Sequence, residues 1–482
     1  MKFETFFFSL LAAGAASAAT VDSVSIKQLW PVSTDVKVTY KLSGVTDPVD
    51  IKVEILNGES AVSLAGVDRS FLRGDVYGVT GDDTPHTLFI DPTQLKAVLP
   101  GYASDFKVKL STVASAANIG ETIYKIVNLN SGEITDVTRA EIKNGKYGTW
   151  TDDVAETFGT TNSVDDVLVW TGVTKDPKWA KDYMVFRKIP VGGKIHRIGA
   201  QEGEKDADAS RQKPFYAKLT HDYWMGVFEV TQYQYAKFAA KFPNVTPAIQ
   251  YPSVWKDGPD AELKPVDNVS WTFIRGTGNA KWSQQYTWSE IYGSADGYRF
   301  VGLLRALNPT ALARLDLPSD AQWETAARAG VPASHYNGYL NISGSNGPAD
   351  KSMEKLGRFS GNGGVVDSVD QGPVRVGSYA PNAYGLYDVL GNLYEWTGDV
   401  YMECPANQVV GGEEFVVDPK GGIDQPAQDD YNGGGNNYSR SPYRGGAYNV
   451  SGRGCTLSVR PRSGRGGGSA QIGFRLCITE ED

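Results

Sequence analysis

The stretch from Pro381 to Asp399 constrains the fold of this chain more than any other part of the sequence. It reads PNAYGLYDVLGNLYEWTGD, which surrounds a tight Gly391-Asn392 turn with large apolar and aromatic side chains. The pattern predicts a short buried element with a sharp bend, whose carbonyl groups need a donor or a cation. Asp388 and Glu395 stand on either side of the turn. Carboxylates and carbonyls suit Ca²⁺, and the alternative is that Asp388 caps a turn while Glu395 pairs with an arginine.

A series of other motifs accompanies this stretch in the second half of the chain. In order they are IPVGGKIHRIGA (Ile189 to Ala200), DYWMGVFEVTQYQY (Asp222 to Tyr235), PVDNVSW (Pro265 to Trp271), LDLPSDAQWETAARAG (Leu315 to Gly330), RGGAY (Arg444 to Tyr448) and IGFR (Ile472 to Arg475). Together with GLYDVLGNLYEW, the series resembles the formylglycine-generating enzyme family, also called the sulfatase-modifying-factor family, over roughly residues 189–477. The resemblance implies an α+β domain of C-type-lectin-like fold with little regular structure, placed at residues 184–479.

The same resemblance shows which residues copper chemistry would need in this chain. In the family, a copper(I) ion held by two cysteine thiolates oxidises a substrate cysteine with O₂, and both cysteines follow an RGGS segment. Here Cys455 matches the second cysteine, but Val450 stands at the first position. Ala447 replaces the serine of RGGS, and Tyr394 replaces the first tryptophan of the family's WEW. Because Cu(I) needs soft thiolate ligands, copper is not expected in this chain.

Two further expectations concern metals. In the family, Ca²⁺ is held by residues that correspond here to Asp388, Gly391, Leu393 and Glu395, and every side-chain requirement is met. The sequence therefore predicts Ca²⁺ as a cofactor. The 4 histidines are scattered along the chain, which argues against the clustered imidazoles of zinc or non-haem iron sites.

The beginning of the chain has the pattern of a secretory signal peptide, predicted at residues 1–18. Lys2 precedes an apolar run from Phe6 to Ala15, and Ala16-Ser17-Ala18 forms a small-residue cleavage site. The run is too short to span a bilayer, and no later run is long enough. The chain is therefore predicted to be exported, to the periplasm or outside the cell, with no membrane span. Its net charge of -9 argues against nucleic acid as a partner.

A separate domain is predicted before the motif series. From Val21 to Val127 apolar and polar residues alternate, as in Val36-Lys37-Val38-Thr39-Tyr40, and turn signals separate the runs. This spacing predicts an all-β sandwich of immunoglobulin-like or fibronectin-like type at residues 21–127. Residues 128–183 are predicted as a connector.

Two helices and one disulfide are also predicted. Thr231 to Phe242 places Tyr235 and Phe238 on one helical face. Ser319 and Gln322 form a capping box that opens a second helix, which Gly330 closes. Cys404, Cys455 and Cys477 allow one disulfide in an oxidising compartment. The sequence leaves the pairing open, and closeness in the chain favours Cys455 with Cys477.

A group of arginines interleaves with glycines near the C-terminus: Arg440, Arg444, Arg453, Arg460, Arg462, Arg465 and Arg475. Guanidinium groups pair bidentately with sulfate or carboxylate, so they suit an acidic or sulfated glycan. The alternative is that they bond loop carbonyls and internal acids, and this alternative is favoured for Arg444 and Arg475.

The sequence thus predicts a binding face and a function. The face combines residues 429–437, 448–454 and 460–468, with Tyr448 in its aromatic platform and Arg453, Arg462 and Arg465 as anion contacts. The predicted function is an exported binding module that lacks copper-oxidase activity, with a protein, peptide or glycan ligand and a sulfatase among the candidate partners. The alternative is an active formylglycine-generating oxidase that converts a sulfatase cysteine to formylglycine. Its catalytic Cys455 would then use Cys477 or Cys404 as a partner.

Overall fold

A computed structural model gives the fold of the chain. It describes residues 19–29, 33–65, 67, 71–99, 106–152, 167–204, 207–208, 212–242, 245–275, 299–338, 353–363, 371–399, 401, 408–410, 413–419 and 440–479. The signal peptide predicted at residues 1–18 lies outside this set, as does Cys404. Among the helices that the structure describes, none combines the length and apolar character needed to cross a membrane.

The chain divides into two compact units. The first contains residues 1–123, 137–152 and 168–175, and the second contains residues 124–136, 153–167 and 176–482. The segment predicted as a connector, residues 128–183, is therefore shared between the two units.

Two antiparallel sheets form most of the first unit. Their strands are β1 (Thr20–Gln28), β2 (Val36–Ser43), β3 (Val49–Asn57), β4 (Ser60–Ala61), β5 (Leu72–Gly74), β6 (His86–Ile90) and β7 (Phe106–Ala114). One sheet has the order β1-β2-β6-β5 and the other has the order β4-β3-β7. Buried residues alternate along β2 and β3, and those of both strands, such as Val38 and Ile51, share one core. The immunoglobulin-like or fibronectin-like assignment of this unit stays a prediction.

The remaining strands form three sheets. They are β8 (Thr122–Asn128), β9 (Ile134–Thr138), β10 (Tyr183–Ile189), β11 (Ile195–Ile198), β12 (Phe215–Lys218), β13 (Tyr223–Gly226), β14 (Leu315–Asp316), β15 (Tyr394–Trp396), β16 (Gln408–Val410), β17 (Glu413–Val417), β18 (Arg440–Arg444), β19 (Arg462–Gly464), β20 (Ile472–Gly473) and β21 (Cys477–Thr479). The sheet orders are β14-β21-β13-β10-β8-β9, β11-β12-β17-β16 and β19-β18-β15-β20. With few helices beside these short strands, the second unit has the mixed α and β character that the sequence predicts.

The described helices are short: α1 (Arg139–Lys143), α2 (Gln232–Ala239), α3 (Pro247–Gln250), α4 (Trp271–Arg275), α5 (Phe300–Arg305) and α6 (Asp320–Arg328). Both helix predictions are confirmed by α2 and α6. Ser319 Oγ accepts a hydrogen bond from Gln322 N at 3.1 Å, and Gln322 Oε1 accepts one from Ser319 N at 2.9 Å, which is the predicted capping box. Helix α6 ends at Arg328, and Ala329 already has a positive φ of 46°, one residue before the predicted Gly330.

The stretch from Pro381 to Asp399 lies at the centre of the second unit. Its only strand is β15, which pairs antiparallel with β18 and parallel with β20. Asp388 and Asn392 have positive φ angles of 57° and 56°, so the chain makes the sharp bend that the sequence predicts. Trp396 is fully buried. This position brings Glu395 next to the residues that follow β20.

Candidate functional site

Glu395 is held in the centre of the second unit by a buried arginine. Arg475 donates from Nε to Glu395 Oε2 and from Nη2 to Glu395 Oε1, at 2.6 Å in both cases. Trp323 Nε1, from α6, donates to Oε2 at 2.6 Å. The side chains of Glu395 and Arg475 are each 1% exposed, so this bidentate pair is sheltered from water. The alternative in which Glu395 pairs with an arginine is confirmed.

Two further buried carboxylates lie around the same turn. Asp388 Oδ2 accepts a hydrogen bond from Gly377 N at 2.6 Å, whereas Oδ1 has no hydrogen-bond partner among the described residues. Glu229 accepts hydrogen bonds from Asn392 Nδ2 at 2.6 Å and from Leu393 N at 3.1 Å. Burial raises the pKa of Asp388 to about 7 and holds the pKa of Glu229 well above its usual range, and neighbouring carboxylates add to both effects.

Of the four positions predicted to hold Ca²⁺, Asp388, Gly391 and Leu393 lie on this turn, and Glu395 lies on β15 directly after it. Asp388 Oδ1 is an unused buried oxygen, and within the described part of the chain Glu395 Oε1 accepts one hydrogen bond, from Arg475. A carboxylate oxygen has two lone pairs, so Glu395 can keep its arginine and still face an ion. The residues present therefore fit a cation, and the Ca²⁺ site stays a prediction.

Side chains alone do not complete such a site. Within the described ranges, no group of three or more His, Cys, Asp or Glu side chains is placed to hold a metal ion. Ca²⁺ takes six to eight oxygen ligands. Backbone carbonyls and water would have to supply the ligands beyond the two carboxylates.

Both described cysteines are buried free thiols, so the predicted disulfide between Cys455 and Cys477 is wrong. Cys455 Sγ contacts the carbonyl oxygens of Ala447 and Val450 at 3.8 Å. Cys477 lies on β21, where its Sγ contacts Gln322 Oε1 at 3.9 Å. The two thiols have different neighbours because Cys455 lies between β18 and β19, whereas Cys477 lies on β21 in another sheet. Closeness in sequence does not reveal this.

Burial also keeps Cys455 protonated. Its side chain is 0% exposed, and burial raises the pKa of the thiol to about 12. Burial likewise raises the pKa of the Cys477 thiol. Copper(I) binds thiolates, and the family's site needs two of them, yet the residue beside Cys455 is Val450. These residues do not fit a copper site.

Three of the C-terminal arginines form ion pairs with buried acids. Arg444 donates to Glu324, and Arg460 Nε lies 2.6 Å from Asp320 Oδ2. Arg475 belongs to the buried pair described above. The internal pairing favoured for Arg444 and Arg475 is therefore confirmed, and Arg460 joins them.

Arg462 and Arg465 are held in a different way. The guanidinium carbon of Arg462 lies 4.1 Å from the ring centroid of Tyr401, and that of Arg465 lies 4.1 Å from the ring centroid of Trp271. Arg465 Nε also donates to Ser441 Oγ at 2.9 Å. Both arginines are half-buried, which is the usual geometry of cation–π contacts at a surface.

The other two predicted binding residues differ in exposure. Arg453 is exposed, whereas Tyr448 is 4% exposed and packs edge-on against Trp255, with 5.4 Å between ring centroids. The burial of Tyr448 contradicts its predicted place in an exposed aromatic platform, because its ring fills a small core. The predicted binding loop at residues 429–437 lies outside the described residues, as does Tyr438.

The sequence analysis missed Glu229, Trp323, Trp271 and Tyr401. The first three lie inside motifs that carry the resemblance, so their position in those motifs was an available signal. Tyr401 had no such signal, because a cation–π contact joins side chains that are far apart in the sequence.

These motifs and this geometry agree with a known family. A model of the sulfatase-modifying factor enzyme 1-like domain matches residues 187–480. The chain belongs to this family. The match confirms the resemblance inferred over roughly residues 189–477, and it covers the second unit's central turn, both described cysteines and the C-terminal arginines.

Several curated relatives of this sulfatase-modifying factor family member are enzymes by name. The chain is similar to the formylglycine-generating enzyme of Mus musculus (32% identical over 246 residues, 47% of this chain and 61% of the relative) and to that of Thermomonospora curvata (31% over 119 residues, 22% and 33%). It is also similar to the inactive C-alpha-formylglycine-generating enzyme 2 of Mus musculus (30% over 116 residues, 23% and 35%). In each case the chain spans less than two thirds of the relative's own length.

Proposed function

We propose that this family member is an exported binding module without copper-oxidase chemistry. The observation that carries the proposal is the surroundings of Cys455, which is fully buried and has Val450 beside it instead of a second thiol. A domain that lacks the metal ligands but keeps the fold retains its surfaces for binding. Similarity to a relative described as inactive is in keeping with this function. Export rests on the secretory pattern at residues 1–18.

The proposed ligand is a protein, peptide or glycan, with a sulfatase among the candidates. Arg453, Arg462 and Arg465 are the proposed contacts, since the first is exposed and the other two present half-buried guanidinium groups. The first unit, with its proposed immunoglobulin-like sandwich at residues 21–127, would serve as a spacer or a second contact.

Ca²⁺ is the proposed cofactor. The carboxylates of Asp388 and Glu395 would hold it, together with the carbonyl groups of Gly391 and Leu393. Three buried carboxylates share Arg475 as their nearby cation, and buried charge of one sign is costly without compensation. The ion would therefore stabilise the turn.

The decisive experiment is an oxidation assay. The full chain, loaded with copper, is incubated with a Cys-x-Pro-x-Arg peptide and O₂, and the peptide is analysed by mass spectrometry beside an active formylglycine-generating enzyme. We expect the peptide to stay unmodified, because a single thiol beside a valine lacks the second thiolate that the copper(I) site needs. Formylglycine that depends on Cys455, as shown by its loss in Cys455→Ser, would replace this proposal with the active oxidase.

A further inference from the structure

A first arginine–aromatic–arginine stack is built around Tyr401. Arg460 and Arg462 both lie over its ring, with guanidinium carbons 4.9 Å and 4.1 Å from the centroid. Arg460 is buried and its Nε lies 2.6 Å from Asp320 Oδ2. Arg462 is half-buried, and no carboxylate among the described residues forms an ion pair with it. The inner arginine is therefore neutralised, and the outer one keeps its charge.

A second stack repeats this arrangement around Trp271. Arg275 lies 5.0 Å from the ring centroid and Arg465 lies 4.1 Å from it. Arg275 forms a bidentate pair with Asp316, with bonds of 2.5 Å and 2.7 Å. Arg465 has no ion pair with any carboxylate in the described ranges. Burial, together with the charge of Arg275, lowers the pKa of Arg465 to about 10, while the nearby Asp399 acts in the opposite direction. The guanidinium of Arg465 is therefore still charged at neutral pH.

The two stacks adjoin each other. Burial raises the pKa of Asp399 to about 7, while the charges of Arg460 and Arg275, the inner arginine of each stack, act in the opposite direction. Both inner arginines are therefore close to one carboxylate. The outer arginines are three positions apart, so the Cα atoms of Arg462 and Arg465 lie within about 11 Å of each other.

We propose that Arg462 and Arg465 bind a tetrahedral oxyanion, carried as a sulfate ester on a carbohydrate ligand. A cation–π contact restricts the position of each guanidinium. Arg465 donates from Nε to Ser441 Oγ, which leaves its Nη donors. Guanidinium N–H donors match the oxygens of sulfate in a bidentate manner. The rings already restrict these side chains in the free protein, so ligand binding costs less side-chain entropy. The proposal names the ligand class of the binding module and rests on that proposed function.

A sulfated carbohydrate is favoured over other anions by two observations. The net charge of -9 opposes a long nucleic acid, whose binding needs a broad cationic surface. The secretory pattern of the first residues favours a ligand found outside the cytoplasm, where sulfate esters on polysaccharides occur. Phosphate shares the tetrahedral shape, so it serves as the competing anion in the test.

The test compares variants of the full chain by isothermal titration calorimetry at constant ionic strength. The probes are N-acetylgalactosamine 4-sulfate, unsulfated N-acetylgalactosamine, inorganic sulfate and inorganic phosphate. Arg462→Gln with Arg465→Gln removes both outer guanidiniums, and Lys355→Gln with Arg375→Gln removes two charges elsewhere in the second unit as a matched control. We expect the sulfated sugar to bind the parent and the control equally, and the stack variant at least about tenfold more weakly.

Three outcomes would overturn the proposal: equal binding by the stack variant and its control, equal binding of the unsulfated sugar, or tighter binding of phosphate than of the sulfated sugar. Binding of inorganic sulfate alone would also overturn it, since the ester is then not the ligand. If Arg462→Gln with Arg465→Gln fails to fold, Arg462→Lys with Arg465→Lys takes its place. This variant keeps both charges but loses the planar guanidinium groups. We expect it to bind the sulfated sugar at least about threefold more weakly than the parent does. The oxidation assay depends on Cys455 alone, so it reports on the proposed function whichever result is found here.

Discussion

Burial has a larger effect on the pKa of Asp388 than the charged groups around it have. The pKa of its carboxyl is raised to about 7, mainly by burial, although Arg475 acts in the opposite direction. A carboxyl whose pKa is higher in the folded state than in the unfolded state binds more protons when folded, at any pH between the two values. Stability from this group is therefore lost as the pH rises from about 4, the usual pKa of aspartate, through 7. Glu229 acts with the same sign, because burial raises its pKa as well.

The loss of stability with rising pH gives a prediction for Asp388 and for Ca²⁺. In EDTA we expect the free energy of unfolding, measured by urea titration, to fall between about pH 5 and pH 8, and Asp388→Asn to flatten that fall. Ca²⁺ added at pH 8 should restore stability by mass action, because the ion replaces the proton as the compensating charge.

The exposed Glu354→Gln serves as the matched control, and its pH dependence should equal that of the parent. A parent protein that does not respond to Ca²⁺ would leave turn capping as the role of Asp388. An unflattened pH profile in Asp388→Asn would show that other groups carry the effect.

Single residues were predictable where local chemistry or a motif constrains them. The missing thiol at Val450 follows from the motif alone, and so does the position of Asp388 and Glu395 on either side of one turn. Internal pairing was favoured for Arg444 and Arg475, but the sequence does not show which of the two arginines lies beside Glu395. Burial of Tyr448 was not predictable, since a tyrosine near glycines suits a binding loop and a core equally well.

The turn between Asp388 and Leu393 is the element on which the centre of the second unit depends. Gly391 has a φ of 77°, and a Cβ there would collide with the carbonyl oxygen of Arg358. Asn392 continues the left-handed conformation, and its backbone N–H donates to the same carbonyl at 2.8 Å. The backbone must approach closely here, which is the condition under which glycine is required.

We therefore expect Gly391→Ala to lower the free energy of unfolding by at least about 1–3 kcal/mol, since strain and collision act together. Chemical denaturation followed by tryptophan fluorescence measures the change. Gly467→Ala is the control, because a Cβ at that exposed glycine would meet no atom within 4 Å, and its effect should stay within about 0.5 kcal/mol. Equal stability of the two variants would contradict the role given to the turn.

Elements were predictable to the extent that their signals are local. The capping residues and spaced apolar positions of α2 and α6 lie within each helix, and both helices are found. The pairings of β18 and β20 with β15 join residues that are far apart in the chain. The sequence therefore did not predict them. The resemblance supplied the fold class for this region, where periodicity alone indicates little regular structure.

At the scale of the whole molecule, burial of both described thiols makes their reactivity a probe of folding. In Cys404→Ser, which removes the cysteine outside the described residues, we expect Cys455 and Cys477 to react with a thiol reagent at least about a thousandfold more slowly than in the unfolded chain. Reaction then requires opening of a unit whose stability is about 5–15 kcal/mol. Absorbance of the released chromophore, with and without urea, measures this. Rapid reaction of Cys455 in the native protein would place it at the surface and support the alternative oxidase.

The last strands of the second unit also set the order in which it can be completed during synthesis. Strand β20 lies beside β15, and β21 lies between β13 and β14, while Arg475 between them neutralises Glu395. Until residues 472–479 have left the ribosome, β13 and β14 cannot be joined by β21, and β15 lacks β20 as its neighbour. Until then Glu395 also lacks its partner Arg475, so the second unit cannot complete its fold. An export channel threads unfolded chain, so the dependence of this unit on strands far along the sequence would favour the proposed export.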